Sequence, residues 1–509
     1  MNLATLLDMA QSGYGERCAI GRRGTGITFS RLAEIAAGGA ELMRSMHAGQ
    51  AVLLARNGPV MPHLMFAAAL AGVPFTPLNY RLGASQINEL IAELDSPVIV
   101  ADPDYLDVVG HGFLAVSSAQ FFAESLRLGP GAAGDPAEVS TRDDDPAVLL
   151  FTSGTTARPK IVPIRHENLV SYVLQTVDFG SAEESEAALV TMPPYHIAAV
   201  ASVLSNLYAA RRVVYLPDFE PREWLRLARE ERISAAMVVP TMLARVVDSL
   251  AGQSSGTPTL RTISYGGARM PEAVLEKALR AFPDVGFVNA YGLTETSSTI
   301  AVLGPEDHRA ALAADDPALR ARLSSVGRPI PGIEVQVRAA DGTVLGPGLT
   351  GELWVRGPQV SGEYVGTGSV LDGEGWFPTG DLAHVDDDGF VFIHGRADDT
   401  IIRGGENIAP AEVEDVLLHH PAVAQVGVVG IPDDEWGQRL VAAVVPRPGH
   451  TATADELKSY VRSRLRSSRT PDAIVWRDEL PHTATGKLLR HDLAASLAGP
   501  GSSRLNDDE

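Results

Sequence analysis

Apolar positions between residues 29 and about 300 alternate between two rhythms. Segments with helical spacing, Phe29–Met46, Gln86–Leu94, Pro221–Glu231 and Glu272–Phe282, are each followed by a short apolar run: Ala51–Ala55, Pro97–Ala101, Ala235–Val239 and Gly286–Ala290. Such runs offer water almost no polar face, which predicts strands of parallel sheets covered by helices on both sides. The run Leu64–Leu78 is broken by Gly72, Pro74, Thr76 and Pro77, and its 15 residues fall short of the ~20 a membrane span needs. It predicts a core helix running into a strand.

Near residue 325 the rhythm changes. Ile333–Arg338 and Gly351–Arg356, with the turn Ala340-Asp341-Gly342 between them, read as antiparallel strands, as does Gly389–His394 behind the acidic turn Asp386-Asp387-Asp388. Beyond Arg396 the alternation is compact. Helices over Pro410–His419 and Ala454–Arg466 are interleaved with strands near Ala424–Ile431, Leu440–Pro446 and Ala473–Arg477. Leu457, Tyr460, Val461 and Leu465 line one face of the second helix. The expected fold is therefore α/β. A large N-terminal domain over residues 1–397 combines parallel sheets covered by helices with a small antiparallel β subdomain. A small α+β domain over 398–498 follows, with a polar, disordered tail over 499–509.

Composition narrows the function. The 509 residues are 45% apolar and 21% charged, enough apolar material for two to four packed domains. A net charge of −21 repels phosphate backbones, so a nucleic-acid binder is disfavoured, while a local cationic pocket for a nucleotide is not. Cys18 is the only cysteine, which excludes an intramolecular disulfide framework and a cysteine-based zinc site. With no basic residue before Arg17 and Asp8 early, the N-terminus does not read as a secretory signal, and a cytoplasmic protein with no transmembrane segment is expected.

The chemistry begins where the strand Pro146–Phe151 runs into Thr152-Ser153-Gly154-Thr155-Thr156-Ala157-Arg158-Pro159-Lys160. Hydroxyls and backbone N–H groups around a glycine, followed by a lysine, suit a polyphosphate. Taken alone, a hydroxyl-rich surface turn is the commoner reading. The G-x-x-x-x-G-K-[ST] spacing is absent here and at Gly486-Lys487, which argues against a P-loop hydrolase. His166-Glu167 lacks the second histidine of a metalloprotease motif. Glu295 could also be a capping partner behind Thr294, Asp381 a turn residue behind Gly380, and Lys487 an exposed turn lysine.

Thr152–Lys160 resembles the phosphate loop of the adenylate-forming superfamily, which includes acyl-CoA synthetases, aryl-CoA ligases, luciferases and nonribosomal adenylation domains. Four further segments resemble that family's motifs in its order. They are Tyr291-Gly292-Leu293-Thr294-Glu295, then Thr379-Gly380-Asp381 with Gly395-Arg396-Ala397-Asp398-Asp399. Gly404-Gly405-Glu406-Asn407-Ile408 follows, and Thr485-Gly486-Lys487 comes last. The resemblance, closest to acyl-CoA ligases, spans nearly the whole chain. It implies activation of a small-molecule carboxylic acid by ATP, pyrophosphate release, and transfer of the acyl group to coenzyme A. An amide synthetase passing the adenylate to an amine, and a non-catalytic nucleotide-binding module, are the alternatives.

The resemblance also assigns roles. Thr152, Ser153, Gly154, Thr155, Thr156 and Lys160 would hold the β,γ-phosphates. Thr294 would contact the α-phosphate and Glu295 would coordinate Mg²⁺. Tyr291 would stack on adenine, with Gly266, Gly267, Ala268, Asn289, Ala290 and Gly292 around it. Asp381 would accept from the ribose hydroxyls with Arg396 assisting, and Lys487 would act in catalysis at the α-phosphate and carboxylate oxygens. Asp398 would be the hinge of a mobile C-terminal domain, and Gly404 and Gly405 would let pantetheine pass close to backbone. Met192, Tyr195, His196 and Ala199 would form the acid pocket, with His196 either touching substrate or satisfied in the core. No aspartate follows Tyr195 to pair with an ammonium, which favours a simple acid over an amino acid. Fatty-acid metabolism and a homodimer also fall within what the family covers. Two departures stand out: Ala157 replaces the family's usual glycine, and Ile402 stands where some relatives carry a lysine.

Overall fold

The computed structural model describes residues 1–129, 142–152, 159–403, 406–433, 436–483 and 488–498; the expected disordered tail lies outside them. Two large sheets carry the first three hundred residues. The larger has nine strands in the order Arg328–Pro329, Ser298–Leu303, Gly286–Leu293, Thr262–Gly266, Ala235–Val238, Ala187–Val190, Arg212–Tyr215, Cys18–Ile20 and Ile27–Thr28. Its middle is parallel and its margins antiparallel. The second has six strands in the order Leu114–Ser117, Pro97–Ala101, Gln50–Leu54, Phe75–Pro77, Pro146–Thr152 and Lys160–Arg165. Only its last pair is antiparallel.

The expected elements form nearly where the periodicity puts them. The first long helix is Phe29–Ser45, started by the Thr28 hydroxyl accepting from Arg31 N–H at 3.2 Å. The apolar run becomes helix Val60–Ala71, which Gly72 ends in the left-handed region (φ 79°), and then strand Phe75–Pro77. Helix Ala454–Arg462 stops four residues short of the expected Arg466, which is itself extended (φ −60°, ψ 152°) and leads into the separate turn Ser467–Arg469. The strand expected to end at Ala290 continues to Leu293, because Ser298–Leu303 pairs along its whole upper part.

Glu334–Arg338, Gly351–Arg356, Phe377–Val385 and Val391–Arg396 make a four-stranded antiparallel sheet with its own apolar core. The turn Ala397–Asp399 leads into the last part of the chain, where Val423–Asp433, Gly437–Pro446 and Ala473–Trp476 form a three-stranded sheet. Helices Pro410–Leu418 and Ala454–Arg462 cover one face of it and Arg490–Ala498 the other, each face sealed by a separate cluster of buried residues. No helix among the described residues is long and apolar enough to cross a membrane.

Two histidines are locked in the large core. The His63 ring packs against Phe121 with Nε2 3.0 Å from the Ile35 carbonyl, and His166 Nδ1 accepts from Leu3 N–H at 3.2 Å. Burial pulls both down to about 4, whereas an unfolded histidine titrates near ~6.5. The unfolded chain therefore binds more protons between these values. Stability is fully present above pH 6.5 and is lost as pH falls toward 4. We expect each histidine to cost about 2 kcal/mol between pH 7 and pH 5. Urea unfolding at the two pH values should show a smaller fall for His63→Gln than for the parent; equal falls would refute the assignment.

Candidate active site

Four segments of distant sequence converge at the upper end of strand Gly286–Leu293. The strand approaches its antiparallel neighbour so closely that a Cβ on Gly292 would lie 1.7 Å from the Ser298 carbonyl oxygen. That contact follows a register slip between Tyr291 and Gly292, and the returning chain passes through positive φ at Ser297 (54°) and Ser298 (102°). The slip leaves Thr294–Thr296 as a single tight turn. Thr296, not Glu295, holds this turn: its hydroxyl accepts from Leu293 N–H at 2.9 Å. Glu295 is thereby released from capping. Its Oε1 accepts from the Tyr364 hydroxyl at 2.8 Å.

Asp381 lies within strand Phe377–Val385, opposite Arg396 in register, and is not a turn residue. Only 6% of it is exposed. Its carboxylate accepts from the Tyr291 hydroxyl at 2.5 Å and from Arg396 Nη1 at 3.3 Å. Arg396 Nη1 also donates to the Thr379 carbonyl at 2.8 Å. Burial, and then the Asp381 charge, hold the Tyr291 phenol firmly protonated, so it is a donor. Burial opposes the Arg396 charge, but Asp381 and Tyr291 outweigh it and raise the guanidinium above its ordinary value. A carboxylate presented this way, with a phenol and a guanidinium donating to it, can accept from further hydroxyls.

Around this cluster the other expected residues take definite places. Thr152 ends its strand opposite Lys160, with its hydroxyl 3.3 Å from the Lys160 carbonyl. Lys160 is exposed, with Nζ 4.8 Å above the Tyr364 ring. Gly266 pairs with Ala290, and a Cβ there would meet the Ala290 carbonyl at 2.2 Å, so a side chain is excluded beside the strand end. Gly267 follows at φ 79° and leads into Ala268. The Asn289 amide is used within the fold, donating to the Ser325 carbonyl at 3.1 Å. Asp398 is exposed in the turn Ala397–Asp399, and Ile402 is exposed on the strand that follows. Ser153, Gly154, Thr155, Thr156, Ala157, Gly404, Gly405 and Lys487 lie outside the described residues.

The pocket residues cluster at the start of helix Ile197–Tyr208, with Met192, Tyr195 and Ala199 buried. The Tyr195 and His196 rings are 4.7 Å apart, and Tyr80 packs edge-on against Tyr195 at 5.7 Å. Among the described residues the Tyr195 hydroxyl and His196 Nε2 are buried without a hydrogen-bond partner. Of the two readings of His196, a satisfied core histidine would need a partner for Nε2, and among the described residues it has none. Burial, with Arg81 nearby, keeps its imidazole neutral, pulled down to about 4, and burial pushes the Tyr195 phenol up to about 12. Neutral, buried donors and acceptors without partners are groups that a polar substituent on a bound acid could satisfy.

Among the described residues no group of three or more His, Cys, Asp or Glu gathers to hold a metal. Glu295 offers one carboxylate with Oε2 free of described hydrogen bonds, which fits a cation that takes its other ligands from phosphate and water. Sequence reasoning missed Tyr364 entirely; nothing in Gly362-Glu363-Tyr364 signals chemistry without its partner. It also missed Arg269, whose guanidinium pairs with Asp415 of the C-terminal part.

The model for AMP-binding enzyme matches residues 7–365, and that for the AMP-binding enzyme C-terminal domain matches 412–487. A feruloyl-CoA synthase of Amycolatopsis sp is 32% identical over 483 residues, covering 93% of this chain and 95% of that protein. The o-succinylbenzoate CoA synthetase of Bacillus subtilis, solved with its acyl-adenylate intermediate, superposes with a TM-score of 0.82 at 28% identity, covering 96% of this chain and 97% of that one. The same synthetase with ATP and a magnesium ion gives 0.81 at 28% identity, covering 96% and 98%.

The Gly292 approach is the most demanding local feature. Gly292→Ala should cost about 1–3 kcal/mol, as overpacking does, read as a lower urea midpoint at unchanged slope. A midpoint equal to the parent's would show that the two strands are not in backbone contact there.

Proposed function

The chain belongs to the AMP-binding enzyme family, and from that premise we propose the roles of its residues. It activates a carboxylic acid with ATP and passes the acyl group to coenzyme A. In the first step a carboxylate oxygen attacks the α-phosphorus and pyrophosphate leaves; in the second the thiol sulfur attacks the acyl carbonyl and AMP leaves. Both steps build negative charge at a crowded phosphorus or carbonyl, so positioned cations and donors matter more than a protein nucleophile.

The observation that supports the assignment is the convergence of Tyr291, Glu295, Asp381, Arg396 and Lys160 from separate elements. In this reading Asp381 accepts from the ribose hydroxyls. Arg396 keeps that carboxylate charged, and the Tyr291 ring lies beside the adenine between Gly266–Ala268 and Ala290. Thr152, Lys160 and Thr294, with Ser153–Thr156, hold the phosphates. Bound magnesium neutralises phosphate charge, and Glu295 is the residue that would hold it. Lys487 serves the α-phosphate, Asp398 is the hinge between domains 1–397 and 398–498, and Gly404 and Gly405 face the thiol.

For the acid, we favour an aromatic carboxylate with a polar substituent over a fatty acid. Tyr80, Tyr195 and Met192 offer ring and thioether surface, and His196 Nε2 and the Tyr195 hydroxyl offer unpaired partners. The feruloyl and succinylbenzoate enzymes named above take acids of this kind. The same reading sets the enzyme in the cytoplasm, consistent with Cys18 as its lone cysteine. Sedimentation would distinguish a monomer from a homodimer.

Two measurements test this. A panel of hydroxylated cinnamic, benzoic and medium-chain aliphatic acids, assayed by ATP–pyrophosphate exchange and then with coenzyme A, should give thioesters first from the aromatic members. Exchange confined to aliphatic acids would overturn the substrate assignment. Lys487→Ala should slow adenylation by about 10²–10³ while the protein stays folded, as loss of one transition-state donor does. A rate near the parent's would remove Lys487 from the chemistry.

A further inference from the structure

Residues 358–365 run as a strap beside the site, and several of its bonds reach the Glu295 turn on one side and the strand Lys160–Arg165 on the other. The Ser361 and Gly362 N–H groups donate to the Glu295 carbonyl at 2.9 and 3.3 Å. Gln359 Nε2 donates to the carbonyls of Thr296 and Thr299 at 2.9 and 2.8 Å. On the other side, the Ser361 hydroxyl donates to the Pro163 carbonyl at 2.6 Å, and Val365 N–H donates to the Ile161 carbonyl at 2.9 Å. Arg165 pairs with Glu363 at 2.5 Å. The turn bearing Glu295 and the strand that begins with Lys160 are thus tied together through one segment.

Tyr364 stands at the end of that strap between the two charged groups. Its hydroxyl donates to Glu295 Oε1 and its ring lies under Lys160 Nζ. Without it, the Glu295 carboxylate would be free to turn toward nearby Arg396 or Lys160, and the cation it must hold would compete with a guanidinium or an ammonium.

We propose that Tyr364 is a positioning residue of the adenylation site, aiming Glu295 Oε2 at the metal of the nucleotide while its ring face keeps Lys160 apart from that carboxylate. This rests on Glu295 being the metal-holding residue. Partners that orient a metal ligand commonly change metal affinity by about 10–100-fold when removed. The phenol hydroxyl and the ring make separable contributions, because Phe keeps the ring and Leu keeps neither.

The test is ATP binding by calorimetry on the full chain, without acid so that no turnover occurs, in EDTA and across a magnesium titration. For Tyr364→Phe we expect the half-saturating magnesium concentration to rise about ten-fold, with ATP affinity in EDTA unchanged. Tyr364→Leu should show the same magnesium shift and, in EDTA, an ATP affinity about two- to five-fold weaker as Lys160 loses its ring. Thermal unfolding should stay within a few degrees of the parent for both. Glu295→Gln is the reference and should abolish the magnesium dependence. If Glu295→Gln does so and Tyr364→Phe keeps the parent's magnesium dependence or tightens it, the positioning role is wrong. If Glu295→Gln itself changes nothing, the metal assignment and the positioning role fail together.

Discussion

A single carboxylate out of water organises this site. Moving Asp381 into the interior costs several kcal/mol, and the structure offsets that with the Tyr291 phenol and the Arg396 guanidinium, drawn from two other strands. The consequence reaches beyond Asp381. The Tyr291 bond ties the nine-stranded sheet to the four-stranded one, and the Arg396 bond ties the latter to the last residues before Ala397–Asp399. Removing one partner of such a group leaves an uncompensated charge, which costs about 3–5 kcal/mol. The geometry of three elements is therefore set by where one acid can be buried.

The charge balance of the site follows from this pairing. The chain carries −21 overall, and its substrates, ATP and a carboxylate, are anions. Arg396 does little to attract them, because Asp381 already neutralises it. The attraction must come from cations that are not committed elsewhere. Among the described residues Lys160 is such a group: it makes no described ion pair and rests only on the Tyr364 face. The acidic surface otherwise discourages larger polyanions. If Lys160 holds phosphate as proposed, an uncommitted cation is available there for an anionic substrate.

Much of the fold was legible because its signals are local. The helix–strand alternation over residues 29–300 and the separate texture after 325 depend on periodicities within ten or fifteen residues, and the elements form within a few residues of expectation. Where reading failed, the cause was a partner far along the chain. Gly286–Leu293 looked like a strand ending at Ala290 because its upper part is made a strand by Ser298–Leu303, not by its own residues. For Asp381 the motif left a turn behind Gly380 open as an alternative, and only the bond to Tyr291, 90 residues away, removes it. Tyr364 lies 69 residues from Glu295 and carried no signal at all. Motif order identified the candidate residues, but not which of them spend their hydrogen bonds on each other.

The large domain and the C-terminal part are held with unequal strength. On the large domain, the strap over residues 358–365 makes several backbone and side-chain bonds, so the Glu295 turn and the Lys160 strand cannot move apart without breaking many at once. The C-terminal part is joined by the short turn Ala397–Asp399 and, among the described ion pairs, by Arg269–Asp415 alone. That pair is weak support. Burial raises Asp415 to about 6 even with Arg269 beside it, so desolvation wins over attraction and the carboxylate would be better off in water. Glu414 and Glu272 add to the penalty, and His419 only partly offsets it. A contact of this kind gives an orientation without much depth to the energy well. A shallow well of this kind is what the hinge proposed at Asp398 would use between attack of the carboxylate on phosphorus and attack of the thiol on the acyl carbonyl, with the nucleotide side kept preorganised.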